Sequence, residues 1–515
     1  MKEIRQESSW NARLSNTLAT AGIGRESPSC RRLRPNTRIP ALPGGSTWDT
    51  ACAPSTMPGN RVLRTLSELV GEKGIAYMAK LAITGGKPLR RKPFPAWPVY
   101  SRRESQALQQ VLRSRNWGGY PFPNAHASAF AAKFAKAQGA KYGIALANGT
   151  VAIEVALKAI GIQPGDEVIV PAYTWEGTVG PVLLLNAVPV FVDVDPETYC
   201  LDARLIEQAL TSKTRVILPV HLAMNFADLD EILRIARPRN IAVIEDCAHA
   251  HGGRWRHKGA GASGDLGCFS FQSSKLMTSG EGGVVITSNL EYHERAQSYV
   301  NCGRASATDQ FRQRLIGFNH RITEFQAAIL EAQLRRLPKQ ARVRQKNMQH
   351  FEKRLHGTPG LGFLKRDKRV KRIAAYQFVF KYLPEHFAGI SRAAFLGALE
   401  MEGIPCDGLF YEPVYRSALF PVDPAEYPAL SWSRHEPLDL KTRYHCIVSE
   451  RAAYEEAVWL PHHIFLGSRK DADDIADAVL KICENIGELR GLQHPAIARK
   501  EMSRAERPRI EKRQW

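Results

Sequence analysis

EVIVPAYTWEGTVGPVLLLNAVPVFVDVD, residues 167–195, opens on one Val/Ile-rich run, EVIVPA, and closes on another, VPVFVDVD. Each has about the length and composition of a strand buried on both faces. Runs of the same kind recur downstream: RVILPVH (215–221), IAVIED (241–246), CFSFQ (268–272) and GVVITS (283–288). Upstream, Ile153, Leu157 and Ile160 fall on one face of a helical pattern. This alternation, from about residue 145 to 288, predicts an α/β domain on a mostly parallel sheet. In such sheets ligands sit beyond the carboxyl ends of the strands, so polar residues there are the first candidates for a site.

A long helical pattern from Glu324 to about Leu355 follows and leads into a second part with mixed strand and helix patterns. The predicted organisation is a large α/β domain over 79–340, a smaller α+β domain over 341–487 and a charged, fraying tail over 488–515. Residues 1–78 are rich in Ser, Pro, Thr and Arg without apolar periodicity, which predicts a disordered basic extension. A transit peptide has that composition too, and Met78 is an alternative natural start. Compact sequence begins at LAITGGKPLRRKPFPAWP (81–98), where the prolines impose an extended path.

At 515 residues, with 44% hydrophobic and 24% charged content, the chain reads as an ordinary globular protein. The most apolar stretch, 179–192, is too short to cross a bilayer and is broken by Asn186 and Pro189. No apolar stretch stands behind the first charged residues, so no secretory signal is expected. The nine cysteines form no CxxC pair, which predicts reduced thiols in a cytoplasmic protein rather than disulfides or a zinc site. The net charge of +20 is dispersed over the N-terminal stretch, residues 335–346, residues 365–372 and the C-terminal tail. No aromatic residues interleave with these runs and no helix-turn-helix or finger spacing appears, which argues against a nucleic-acid partner. Solvated faces and tails account for the runs, and an anionic substrate fits the field better.

Four short segments carry chemistry. Asn148-Gly149-Thr150 directly precedes a helical pattern, where free backbone N–H groups and the positive dipole end suit a phosphate. Taken alone, it reads equally as a simple N-cap by Asn148. Asp246 ends the IAVIED run; a carboxylate there could be a metal ligand, a catalytic acid or the partner of a cationic ring nitrogen. His249 and His251 could chelate a metal, but no second Cys, His or acid cluster completes a site, so no metal is expected. Lys275 lies in FSFQSSKLMTSGEGG (269–283), among Ser270, Ser273 and Ser274 and ahead of Gly280, Gly282 and Gly283, which permit close backbone approach. A lysine forms a Schiff base only where burial or a cationic neighbour lowers its pKa.

An anion cradle, a strand-end carboxylate and a glycine-flanked lysine thus occur in order within one α/β domain. Pyridoxal 5′-phosphate requires that set: a site for its phosphate, a carboxylate for its pyridinium nitrogen and a lysine for its aldehyde. The protonated ring accepts the electrons released when a Cα–H bond breaks, and the lysine, once displaced, is the natural base.

PGDEVIVPAYTW, PVFVDVD, LPVHL, IEDCAHAHG, FSFQSSKLMTSGEGG and GFNHRITEFQAAILEAQL together resemble successive motifs of the DegT/DnrJ/StrS aminotransferase family. FPAWP, EDCAHAHG and the lysine segment look most similar to the branch with 3-amino-5-hydroxybenzoate synthases and cyclitol aminotransferases. The resemblance covers roughly residues 81–485. It implies the pyridoxal-phosphate transferase fold type I (aspartate-aminotransferase-like): a mostly parallel seven-stranded sheet, a smaller C-terminal α+β domain, and a homodimer with shared active sites. It further implies that Lys275 holds the cofactor, that Asp246 pairs with the ring nitrogen and that His249 and Tyr173 sandwich the ring. Gly149, Thr150 and Ser270 would bind the phosphate, joined from the partner subunit by Asn319, with Arg321 beside it. The implied activity is amino transfer from glutamate or glutamine to a keto sugar, free or nucleotide-linked, or to a keto cyclitol. Alternatives are an aromatising dehydratase of an aminoshikimate-type ring and a non-catalytic cofactor-binding regulator; Lys275 and the complete shell count against the regulator. The chain departs from the family at Leu222–Phe226 and at Trp175-Glu176, segments expected to face the acceptor pocket.

Overall fold

All-buried Val/Ile runs can be satisfied only inside a sheet covered on both faces, and that is where the chain puts them. In the computed structural model, which describes residues 79–120, 122–304, 315–431, 436–502 and 506, seven strands form one sheet. They are β1 (Tyr142–Leu146), β2 (Glu167–Pro171), β3 (Val188–Val192), β4 (Thr214–Ile217), β5 (Ala242–Asp246), β6 (Leu266–Ser270) and β7 (Gly283–Thr287). Their spatial order is β1-β7-β6-β5-β4-β2-β3. Every pairing from β3 across to β6 is parallel, and β7 runs antiparallel to both its neighbours. Strands β2, β6 and β7 are buried at every position. The fold is the expected α/β sheet of fold type I.

Helices cover the sheet. Helix α1 (Gly149–Ile160) leaves the end of β1 and buries Ala152, Ile153, Val155, Ala156 and Leu157. Helix α2 (Glu176–Leu184) follows β2, and α3 (Glu324–Leu355) opens with a capping box of Thr323 and Gln326. The expected domain limit at 340/341 falls inside α3. Beyond it, β8 (Leu361–Phe363), β9 (Gln377–Tyr382) and β10 (Ala457–Pro461) form an antiparallel sheet in the order β8-β9-β10. One core cluster runs without a break from Ile169, Ile217 and Val243 under the large sheet to Phe351, Phe378, Phe395 and Val458 around the small one.

Everything described belongs to one compact unit, Val62–Trp515. The expected extension over 1–78 lies outside the described residues. The tail expected to fray from 488 is instead placed through Met502. A helix over Pro495–Glu501 buries Ala496 and Ile497 against the helix Arg392–Met401, and Lys500 donates to the Cys406 carbonyl. Two buried apolar side chains and one part-buried hydrogen bond outweigh the charged composition of that segment. The basic run 365–372 is likewise part of the structure: Arg369 binds Asp228, Asp230 and Asp367, and Val370–Arg372 pairs with Arg254–Trp255. No helix among the described residues is long and apolar enough to cross a membrane.

Candidate active site

A cavity of about 950 Å3 opens beyond the carboxyl ends of β2, β4, β5 and β6, where a doubly wound sheet places its ligands. Its floor is the N-terminus of α1. Asn148 caps that helix, its Oδ1 accepting the Val151 N–H at 2.9 Å, and this leaves Gly149 and Thr150 facing the cavity. Ser270, at the end of β6, lies so close that a Cβ on Gly149 would stand 2.5 Å from the Ser270 Cβ. A Cβ on Gly283 would stand 2.4 Å from the Asn148 carbonyl oxygen. Glycine at both positions lets the lysine segment and the helix N-terminus meet as one anion cradle.

Asp246 ends β5 and points into the same cavity. Its Oδ2 accepts from Thr178 Oγ1 at 2.8 Å and its Oδ1 from the Ala248 N–H at 3.0 Å, so both of these donors are neutral. Burial pushes this carboxyl above the usual carboxylate range, against the pull of the Ala248 and Thr178 hydrogen bonds and the Lys275 charge. A buried carboxylate held this way calls for a cation beside it, and the protonated ring nitrogen of pyridoxal phosphate is such a cation. The residues present therefore fit that cofactor at both its phosphate and its ring-nitrogen ends.

Lys275 lines the same cavity, with Nζ 4.6 Å from the centre of the Tyr376 ring. It lies in the irregular segment between β6 and β7, where its N–H donates to the Gln272 carbonyl at 2.9 Å. His249 lines the cavity, its ring stacked on Tyr376 at 4.1 Å and parallel to Tyr411 within 3°. The His249 Nδ1 accepts the Ala223 N–H at 3.1 Å, so Nε2 carries the proton and donates to the Tyr411 hydroxyl at 2.9 Å. Burial, followed by the charges of Lys275 and His251, drives this imidazole well below its usual pKa, so it is a neutral plate.

Lys275, Asp246, Gly149, Thr150, His249 and Ser270 thus converge as the sequence predicts. Tyr173 does not. It is fully buried, edge-on to Tyr199, Tyr411 and Trp459, and does not reach the cavity wall. A bridge to Pro413 draws it under the neighbouring loop, and Trp175, at the N-cap of α2, faces the cavity instead. A Cβ on Gly177 would lie 2.6 Å from Trp175 Nε1 and 2.7 Å from Thr150 Oγ1, so the indole reaches the phosphate corner. Asn319 is exposed and Arg321 donates to Asn301 Oδ1 and Cys302 Sγ; neither lines the cavity of its own chain. Of the two departures from the family, only Trp175 is on the wall. Glu176 is buried against Ser417 Oγ, and residues 222–226 lie behind His249.

Thr178, Gln377, Asp407 and Tyr411 also line the cavity, and the sequence motifs do not point to them. Thr178 is the findable one, because it sits in the first turn of the helix that follows a ligand-facing strand. The others come from segments more than a hundred residues after Lys275 and carry no motif. A buried trio of His221, Glu245 and Cys247 has its ligand atoms within 4.8 Å of one another. Each Glu245 oxygen already accepts two donors, from Gly261 and His221 on one and from Ser263 and Gly264 on the other, so the trio reads as a structural knot.

The model of the DegT/DnrJ/EryC1/StrS aminotransferase family matches residues 99–480. A putative L-glutamine:3-amino-2,3-dideoxy-scyllo-inosose aminotransferase of Streptoalloteichus tenebrarius is 43% identical over 418 residues, 80% of this chain and 100% of that protein. An L-glutamine:2-deoxy-scyllo-inosose aminotransferase of the same organism is 35% identical over 423 residues, covering 80% and 99%. Among solved structures, a 3-amino-5-hydroxybenzoic acid synthase superposes with a TM-score of 0.67 at 32% identity, over 76% of this chain and 98% of that one.

Proposed function

Because the chain belongs to the DegT/DnrJ/EryC1/StrS aminotransferase family and is a pyridoxal-phosphate-dependent aminotransferase, we propose that it transfers the α-amino group of L-glutamine to a keto cyclitol that already bears one amine. One observation favours this acceptor over a nucleotide-linked sugar. Glu154, Glu281 and Asp407 lie on the cavity wall, while Lys275 is the sole Lys or Arg there among the described residues. That lining offers carboxylates to an ammonium and, once the α1 cradle holds the cofactor phosphate, no further Lys or Arg to a diphosphate. The dispersed positive charge therefore does not mark the acceptor as anionic. The relatives at 43% and 41% identity carry the amino-inosose name, which ranks this reading above aromatisation of an aminoshikimate-type ring.

When bound, the cofactor supplies an electron sink for the pair released from a broken Cα–H bond. Lys275 would hold its aldehyde carbon and, as a free amine, would take and return the Cα proton. Asp246 keeps the ring nitrogen protonated, with Thr178 and Ala248 fixing the carboxylate. Gly149, Thr150 and Ser270 hold the phosphate, and Trp175 and His249 flank the ring. In this reading residues 79–340 are the cofactor-binding part and 341–487 cover the cavity. The seven free cysteines among the described residues fit a reducing compartment, the cytoplasm.

The acceptor is tested by incubating the purified chain with α-15N-labelled L-glutamine and 3-amino-2,3-dideoxy-scyllo-inosose. Label in a diamino cyclitol is the expected result. Transfer only to a nucleotide-linked keto sugar would overturn the proposal.

The working unit is a homodimer in which Asn319 reaches the phosphate bound by the partner subunit. Its exposure, and its absence from the wall of its own chain's cavity, support this role. Asn319→Ala should weaken cofactor binding by about 1.5–3 kcal/mol, the worth of a hydrogen bond to a charged acceptor. That is on the order of tenfold to a hundredfold in dissociation constant. Mixed with inactive Lys275→Ala chains, Asn319→Ala chains should regain activity, because one site of each heterodimer has both residues intact. Confirmed subunit exchange without recovery would remove Asn319 from the shared site.

A further inference from the structure

Arg344 lies on α3 in the buried stripe Leu337, Ala341, Arg344, Met348, Phe351 and Leu355, whose three- and four-residue spacing marks one helix face. It is 0% exposed, and its Nε, Nη1 and Nη2 have no hydrogen-bond partner. Burial alone acts on its charge, lowering its pKa without an offsetting carboxylate. A guanidinium in that condition is costly and needs polar company.

The company around it is specific. The Trp97 ring centre is 5.2 Å from the guanidinium carbon, and His462 meets Trp97 edge-on at 4.6 Å. His251, His462 and His463 all feel the Arg344 charge. Three of these side chains donate to carbonyls in the segment just before Lys275. His251 Nε2 reaches the Ser270 oxygen at 2.8 Å, Trp97 Nε1 the Ser273 oxygen at 2.9 Å and His462 Nε2 the Ser274 oxygen at 3.0 Å. A carbonyl only accepts, so both imidazoles carry their proton on Nε2 and present Nδ1 as an acceptor. Both Nδ1 atoms are buried and unpartnered, like the guanidinium donors. Donors without acceptors and acceptors without donors thus occur in one enclosed region.

We propose that Arg344 is a positioning residue for Lys275: through enclosed water accepted by His251 Nδ1 and His462 Nδ1, it fixes the donors that hold the carbonyls of Ser270, Ser273 and Ser274. Water with two to four polar partners is the usual occupant of such a region. The inference rests on Lys275 being the cofactor lysine. Arg344 touches no reacting atom and acts only through the backbone of the loop.

The test compares Arg344→Met and Arg344→Lys with the parent, each as the full chain. In the Met variant, the apo-protein should melt no lower than the parent, because an apolar chain of similar shape replaces a lone buried charge. Amide exchange across residues 270–275 of the apo-protein should nevertheless accelerate about tenfold, and the cofactor dissociation constant should rise by about the same factor. The Lys variant, which keeps a charge and donors, should recover part of both losses. Parent-like exchange and affinity in a folded Met variant would overturn the inference. If the Met variant does not fold, Arg344→Leu, which also lacks charge and donors, is read in its place, and parent-like values there would do the same. Borohydride mapping of the parent separates the two ideas. Label away from Lys275 defeats the functional reading, whereas label on Lys275 with unchanged Arg344 variants defeats only this one.

Discussion

Lys275→Ala should abolish amino transfer, lowering turnover by at least about 10⁴-fold. General-base catalysis alone is worth about 10²–10⁴-fold, and the covalent hold on the cofactor is lost with it. No second lysine lines the cavity among the described residues to take over. The variant should still bind cofactor, because Gly149, Thr150, Ser270 and Asp246 are untouched, but the visible band of the lysine-linked form should disappear. Stopped-flow half-reactions with L-glutamine check this, and turnover within a hundredfold of the parent would rule out Lys275 as the base.

Asp246→Asn should keep the fold and remove the electron sink. Without a carboxylate the ring nitrogen loses its proton, and a barrier increase of several kcal/mol corresponds to about a thousandfold or more in rate. The stability effect has the opposite sign. Because the folded Asp246 carboxyl titrates above its unfolded value, its ionisation opposes folding at pH values above the ordinary carboxylate range. The apo-variant should therefore melt no lower than the parent at neutral pH, with the difference vanishing as pH falls below the unfolded carboxylate pKa. A half-reaction within tenfold of the parent would show that another group holds the ring nitrogen.

The parts of this site that are legible in the sequence are those fixed by local chemistry. Strands β2 and β3 are apolar at nearly every position because both faces are covered, so their pattern is unambiguous. Asp246 is conspicuous as a charge at the end of an apolar strand, and Lys275 by its serine and glycine surroundings. Helix α3 runs from Glu324 to Leu355, the limits its apolar period predicts.

What the sequence hides depends on how distant segments meet. Tyr173 and Trp175 are two residues apart just past the end of β2, and only the bridge of Tyr173 to Pro413 decides which one turns inward. Tyr376, Asp407 and Tyr411 reach the cavity through long-range packing that no local pattern encodes. Arg344 is the clearest case. It belongs to the basic stretch 335–346, which reads as a solvated face, yet it occupies a core position in an otherwise apolar stripe. Composition averaged over the run conceals the one position that matters to the loop.

The most direct measurement of the central claim is borohydride reduction of the purified, cofactor-loaded protein followed by peptide mapping. The visible band should vanish on reduction, and the pyridoxyl mass should appear on Lys275, within the segment FSFQSSKLMTSGEGG. Label recovered on any other lysine, or a protein that stays colourless after reconstitution with pyridoxal phosphate, would contradict it.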